Sequence, residues 1–390
     1  MKRTLFIISL LIVSTFTFAN NSSLKVGAEQ YSKYFPELKD KKIAIYSNHT
    51  GVIKDKHLLD VLIENQFNIT AIFSPEHGFR GSADAGEQVS SSKDSKTGVP
   101  ILSLYDGKER MPSKKAMEQF DVLLVDIQDV GLRFYTYYIT MVRLMDACAI
   151  YNKTMIILDR PNPNGHYVDG PILDMKHKSG VGHLPIPVVH GMTLGELALM
   201  VNGEKWLPEG KVCNVKVIPC ENYTHKTKYS LPIAPSPNLP NMRSIYLYPS
   251  TCLFEGTEAS LGRGTPFPFQ VYGHPNMKGK YKFSFTPQSV PGAKNPPLLN
   301  KKCYGVDLTN LGEATTYNMG LDLSYVIDAY NKTELGAKFF KPFFTLLIGV
   351  EYVKEMIIAG KSATEIAAMW RDDVEKFKAQ RKPYLIYPEN

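Results

Sequence analysis

The chain has 390 residues, with 45 basic and 38 acidic side chains and a formal charge of +7. A hydrophobic share of 44% and a charged share of 21% are ordinary globular values, which excludes a disordered chain, a collagen and a coiled coil. The lysines are dispersed along the chain without a dense basic run, so no nucleic-acid partner is expected.

Lys2 and Arg3 precede an apolar run over 5–18, and Thr17-Phe18-Ala19 places small residues at the positions a signal peptidase reads. Residues 1–19 are therefore expected to be a cleaved signal peptide, with the mature protein periplasmic or secreted. The run is too short to cross a bilayer comfortably, and no later stretch is long enough, so no transmembrane span is expected after cleavage. The cysteines Cys148, Cys213, Cys220, Cys252 and Cys303 form no CxxC pattern. Cys213 and Cys220 are a candidate pair, and the rest read as buried thiols.

Short β-like runs then alternate with helical patterns. Strands are expected at 42–47, 69–73, 101–104, 122–125 and 155–158. A helix is expected over 57–66, where Leu58, Leu59, Leu62 and Ile63 recur at helical spacing. A second should carry Tyr137, Met141, Leu144, Met145 and Cys148 on one face. A third opens at Thr193, whose hydroxyl and Glu196 match a capping box. Alternation of this kind implies a Rossmann-like, mostly parallel wound α/β sheet. Five prolines between Pro232 and Pro249 favour an extended connection over helix. The expected organisation is thus a catalytic domain over 20–240 and a smaller α+β auxiliary domain over 241–390 that contributes to the cleft. In the latter, a strand is expected near 304–308 and helices over 321–330, 339–348 and 363–377.

In a wound sheet the working crevice lies beyond the carboxyl ends of the strands. His49, Glu76-His77, Asp126 to Asp129 and Asp159-Arg160 each follow a predicted strand directly, so the topology gathers them on one rim. Glu76 lies in FSPEHGFRG, where Pro75, Gly78 and Gly81 constrain the turn and Phe73 or Phe79 can desolvate a carboxyl group. A carboxyl so placed suits proton transfer, and pairing with Arg80 is the alternative. Asp126 or Asp129 can supply a second carboxylate, although Asp129 also suits a helix cap. Arg133 can clamp an anion, and Tyr135 and Tyr137 can stack on a sugar face. Glu255, Glu258 and Arg263 lie in a Gly-rich segment suited to a domain interface. Gly262 and Gly264 lack the lysine and following helix of a phosphate loop, and the first strand lacks GxGxxG, so no nucleotide and no cofactor is expected. His49, His77 and His190 come from separate loops without HxH or HExxH spacing, and no metal is expected.

SNHTG at Ser47, FSPEHGFRG at Phe73, TGVPILSLY at Thr97, DIQDVGLRFYTY at Asp126, DRPNPNG at Asp159, HGMTLGELA at His190 and EGTEASLGRGTPFPF at Glu255 occur in this order. Together they resemble the NamZ-type exo-β-N-acetylmuramidase family, formerly a domain of unknown function. The resemblance implies a Rossmann-like domain without nucleotide, a C-terminal auxiliary domain, and release of N-acetylmuramic acid from non-reducing ends of peptidoglycan fragments (MurNAc–GlcNAc). It makes Glu76 the leading catalytic candidate, with Asp126, Glu255 and Glu258 as candidates for a second group. His49, His77, Arg80, Asp129, Arg133, Tyr135, Tyr137, Arg160, Asn162, His190 and Arg263 become candidate substrate contacts. Arg133, Arg160 and Arg263 are the candidates to read the lactyl carboxylate.

Two carboxyl groups commonly flank the scissile glycosidic bond, ~5–5.5 Å apart for retention and roughly 6.5–9.5 Å for inversion. The acetamido group of the substrate also leaves substrate-assisted attack open. Two other readings stand beside the glycosidase: a metal-dependent hydrolase built on His49, Glu76, His77 and Asp126, and a non-catalytic cell-wall sugar-binding protein.

Overall fold

The computed structural model describes residues 23–75, 79, 92–104 and 111–390. The first part runs α1 (Tyr31–Leu38), β1 (Lys42–Ser47), a short hairpin of β2 (Val52–Ile53) and β3 (Lys56–His57), α2 (Leu58–Glu64), β4 (Asn68–Ser74), β5 (Ser92–Lys93) and β6 (Pro100–Ser103). It continues through α3 (Lys114–Met117), β7 (Val122–Asp126), α4 (Tyr137–Ile150), β8 (Thr154–Leu158), α5 (Leu194–Gly203) and β9 (Asn214–Ile218). Among the described residues these strands form one sheet in the order β5-β6-β4-β1-β7-β8-β9, parallel except for the edge strand β5. The expected signal peptide lies outside the described residues.

Each central strand feeds two apolar cores. Ala44 and Tyr46 of β1, Leu123 and Val125 of β7, and Met155 and Ile157 of β8 enter one. Their neighbours Ile43, Ile45, Val122, Leu124, Ile156 and Leu158 enter the other. Successive side chains of a strand point to opposite faces, so a parallel sheet covered on both sides must be apolar at every position, and KIAIYS and VLLVD are nearly so. Tyr34 and Leu38 of α1 and Leu58, Leu59 and Leu62 of α2 cover one face. Met141, Leu144, Met145 and Cys148 of α4 cover the other, as their spacing predicts. The capping box that starts α5 also forms: Glu196 N donates to Thr193 Oγ1 at 3.2 Å and Thr193 N to Glu196 Oε2 at 2.9 Å.

The second part holds α6 (Met242–Thr251), a three-stranded antiparallel sheet of β10 (Val271–His274), β11 (Phe283–Phe285) and β12 (Cys303–Asp307), and the helices α7 (Glu313–Tyr317), α8 (Ser324–Thr333), α9 (Pro342–Ile348), α10 (Tyr352–Ile358), α11 (Ala363–Ala368) and α12 (Arg371–Arg381). α6 corrects the expectation of an extended connection up to Pro249. Asn241 accepts from Ser244 N at 2.9 Å and starts the helix, and Pro249 lies in its last three residues, where it interrupts little. The predicted helix over 363–377 is divided into α11 and α12. The five cysteines are free and buried, which corrects the Cys213–Cys220 pair. Cys220 Sγ instead donates to the Asp159 carbonyl at 3.2 Å.

The larger core runs on from the sheet into Leu253, Phe254, Phe344 and Leu347, so the two parts share one interior. The chain end returns to the first part. Ile386 N and Tyr387 N donate to Glu196 Oε1 at 3.0 and 3.3 Å, and the Tyr387 hydroxyl donates to Asp159 Oδ2 at 2.7 Å.

Arg133 forms a second junction and corrects its reading as an anion clamp. It is fully buried, and its guanidinium donates to the carbonyls of Pro171 (2.7 Å), Ile186 (2.9 Å), Leu347 (3.0 Å) and Ile348 (2.7 Å). The last two are terminal carbonyls of α9, which lack helical partners and carry the negative end of the helix dipole. Burial lowers the guanidinium pKa to about 10, which still leaves it charged at neutral pH. Asp129 also turns inward. Its Oδ1 accepts from Gly131 N at 2.7 Å, an Asx-type turn, and burial raises its pKa to about 7.

Two outcomes follow from these buried groups. Arg133→Met leaves carbonyls of both parts without a donor and should lower stability by about 3–5 kcal/mol, read as a shifted urea midpoint. A carboxyl pKa raised on folding stabilises fully below the unfolded value near 4, and that contribution is lost as pH rises through about 7. Asp159, raised to about 6 by burial, acts in the same direction. Asp129→Asn should therefore flatten, without abolishing, the fall in melting temperature between pH 5 and pH 8. Parallel wild-type and variant curves would show that Asp129 does not titrate there.

Candidate active site

The register brings the strand ends to one level. Tyr46 pairs with Phe73, Ser47 with Asp126 and Ser74 with Ser103, so β1, β4, β6 and β7 finish on a common rim. The chain crosses from β6 at one side of β1 to β7 at the other, which makes the β1–β7 boundary the switch point of the sheet. Protein groups fill that boundary. Ser47 Oγ donates to the Asp126 carbonyl at 2.7 Å. A Cβ on Gly51 would stand 2.2 Å from Ser47 Oγ, so only glycine admits this approach.

Asp126 is fully buried there and held by Arg160, with Nε–Oδ1 at 2.6 Å and Nη2–Oδ2 at 3.1 Å. Arg160 Nη2 also donates to the Val52 carbonyl at 2.8 Å. Buried charges need such pairing, and this pairing corrects two expectations: Asp126 is not presented for proton transfer, and Arg160 is not presented to an anion. Asn162 is likewise internal, donating to the Met192 carbonyl at 2.9 Å and accepting from Asn164 N at 2.8 Å. His190 is buried, accepts from Met192 N at 3.2 Å, and is pushed down to about 3 by burial and then by Arg381, so it stays neutral. These residues are held within the rim by protein partners. Glu76, His77 and Arg80 lie outside the described residues. Of the phenylalanines near them, Phe73 packs against Phe120 and Phe79 against His57.

Beside the rim lies a cleft of about 750 Å³, lined from both sides of residue 240. One wall carries Phe134, Tyr135 and Tyr137, whose segment leads from the Arg133 junction into α4. The Tyr135 and Tyr137 rings stand edge to face at 4.6 Å, and both hydroxyls donate to the Pro235 carbonyl at 2.9 and 3.0 Å. His49, after β1, meets the adjacent Ala234 carbonyl through Nε2 at 2.9 Å. Ser236 and Asn238 then line the cleft, so residues 234–238 tie the rim to it.

The second part of the chain adds Tyr248, Glu255, Arg263 and Phe269 to the lining, and Tyr248 meets the Phe134 and Tyr135 rings edge-on at 5.3 and 6.2 Å. Arg263 donates to Glu255 Oε1 from Nε at 2.9 Å and from Nη2 at 2.5 Å. Its guanidinium lies 5.0 Å from the Phe269 ring centre, and Tyr248 meets that ring edge-on at 4.7 Å. Gly262 and Gly264 place Arg263 here through left-handed turns with φ of 85° and 77°. This is the use of the glycine pair that fails as a phosphate loop. Glu258 does not line the cleft. Its side chain faces Lys341 at 3.7 Å near the surface, which corrects its candidacy as a catalytic carboxylate.

Of the expected site residues, Tyr135, Tyr137, Glu255 and Arg263 thus share the cleft, with His49 at its edge. Phe134, Tyr248, Asn238 and Phe269 join them unforeseen. Phe134 and Phe269 stood inside recognised motifs, whereas Tyr248 carried no signal, because its helix was not expected. The arrangement offers a largely aromatic lining, an arginine for an anion and a carboxylate, beside the carboxyl edge of a wound sheet. Among the described residues no cluster of three or more His, Cys, Asp or Glu side chains is set to hold a metal ion.

Residues 43–243 match the family described as exo-beta-N-acetylmuramidase NamZ, N-terminal, and residues 246–387 match its C-terminal counterpart. The peptidoglycan beta-N-acetylmuramidase NamZ of Bacillus subtilis (strain 168) is 37% identical over 378 residues, covering 91% of this chain and 89% of that protein. The crystal structure of a DUF1343 family protein from Bacteroides fragilis NCTC 9343 superposes with a TM-score of 0.89 at 66% identity, covering 95% of this chain and 100% of that one. A second DUF1343 protein from the same strain gives 0.78 at 28% identity, covering 93% and 99%. With both halves matched in order and more than a third of its residues shared with a characterised relative, the chain belongs to the NamZ exo-β-N-acetylmuramidase family.

Proposed function

We propose that this chain is an exo-acting glycosidase that releases N-acetylmuramic acid from the non-reducing ends of peptidoglycan fragments, with Glu76 as the proton donor to the leaving oxygen. Membership of the family makes it a glycosidase acting in peptidoglycan breakdown. The observation that carries the reading is the cleft itself, whose lining joins Tyr135 and Tyr137 with the Glu255–Arg263 pair and is tied to the strand-end rim by residues 234–238. A muramoyl residue presents an apolar ring face, several hydroxyls and one carboxylate, and this wall chemistry matches all three. The PEHG segment begins at Pro75, directly after Ser74 in sequence, and Ser74 ends β4 on that rim.

General acid catalysis is worth about 10²–10⁴-fold. Glu76→Gln should lower release of N-acetylmuramic acid from a MurNAc–GlcNAc disaccharide by that factor while leaving the melting temperature within a degree or two. Near-normal turnover in the variant would remove Glu76 from the chemistry. We also propose export, with cleavage after Ala19. Intact mass of the protein recovered from the producing cells should then begin at Asn20, and a retained Met1 would refute it.

A further inference from the structure

Resting on the muramidase reading, we infer that Arg263 is the residue that distinguishes muramic acid from glucosamine by receiving the lactyl carboxylate, and that Glu255 is its positioning residue. Four arginines stand in the family motifs; Arg80 lies outside the described residues, and of the other three, tertiary structure leaves one for a ligand. Arg133 donates to backbone carbonyls of two segments, and Arg160 is enclosed with Asp126. Arg263 lines the cleft.

Its setting is that of a prepared anion receptor. Glu255 takes hydrogen bonds from Nε and Nη2 on a single oxygen, and the guanidinium lies over the Phe269 ring. Those contacts fix the plane of the fork. Among the described residues its hydrogen bonds run to Glu255, which engages the Nε edge. The outer edge, through Nη1 and the second hydrogen of Nη2, is the one that can meet a second carboxylate end-on. A cation held in advance loses little conformational freedom on binding, so more of each charge-assisted hydrogen bond reaches the affinity. Tyr248 and Phe134 border the same space, and apolar faces there suit the lactyl methyl group. Glu255 spends one oxygen on Arg263, and its other oxygen lies 3.8 Å from Cys252 Sγ. It thereby acts through the arginine.

The test compares two aryl N-acetyl-β-muramides, one with a free lactyl carboxylate and one with its methyl ester. The wild type should prefer the acid by roughly 10–100-fold in kcat/KM, the range of a charge-assisted pair. Arg263→Gln should bring the acid-to-ester ratio close to one, and Arg263→Lys should keep an intermediate ratio, since a lysine retains the charge without the fork. Glu255→Gln should raise KM for the acid more than for the ester, with kcat changing less. A merely structural role for the pair would lower both substrates equally and leave the ratio intact, which would overturn the proposal. A wild type that takes the ester as readily as the acid would overturn it without any variant. If the wild type hydrolyses neither substrate, the muramidase reading itself fails and this inference falls with it. Turnover with an unaltered ratio instead refutes the role of Arg263 alone.

Discussion

The geometry of the cleft depends on a single buried cation. Arg133 carries its charge into the interior and satisfies it with carbonyls from the 171–186 region and from the end of α9. The residues on either side of that junction are cleft residues: Phe134, Tyr135 and Tyr137 follow Arg133 directly, and Phe343 of α9 lines the same space. Because a helix terminus and an irregular loop share one rigid fork, the walls cannot separate without stranding polar groups in a dry interior. The width of the site is therefore set by hydrogen-bond satisfaction and not by apolar packing alone.

The same economy of charge runs along the strand ends. Asp126 and Arg160 close the switch point of the sheet, the position where other wound sheets receive a nucleotide. With that boundary filled by an internal pair and a close-packed glycine, the open space lies to one side, between the two parts of the chain. The position of the open space thus follows from the placement of one ion pair and a Pro-rich strip. The strip at 234–238, pinned by His49, Tyr135 and Tyr137, connects the displaced cleft to the rim.

The second part is not an appendage. It supplies Tyr248, Glu255, Arg263 and Phe269 to the site, shares the larger core, and sends its last residues back to Glu196 and Asp159. Glu196 illustrates the coupling. The sequence marks it as the third residue of a capping box, which it is, yet its other oxygen holds the chain terminus and meets His225 at 3.0 Å. A local signal can be entirely correct and still describe half of what a buried carboxylate does.

The sheet and its principal helices were legible because both-sided burial forces continuous apolar runs and one-sided burial forces helical spacing. The ordered motifs were legible as a family, and the carboxyl-end rule placed His49, Asp126 and Asp159-Arg160 at neighbouring strand ends, as the register shows. What a sequence does not encode locally is which partner a charged side chain finds. Arg133, Arg160 and Arg263 are chemically identical in the chain. Folding gives the first to four carbonyls, the second to Asp126, and the third to a glutamate at the edge of a cleft. α6 was hidden for a related reason, since prolines argue against helix residue by residue, while the Asn241 cap and burial of Tyr246 and Leu247 outweigh them. Composition and periodicity determined the architecture, because they record how much surface each element must bury. Tertiary structure alone decided which polar groups line the cleft, because pairing and burial are relations between residues distant in the chain.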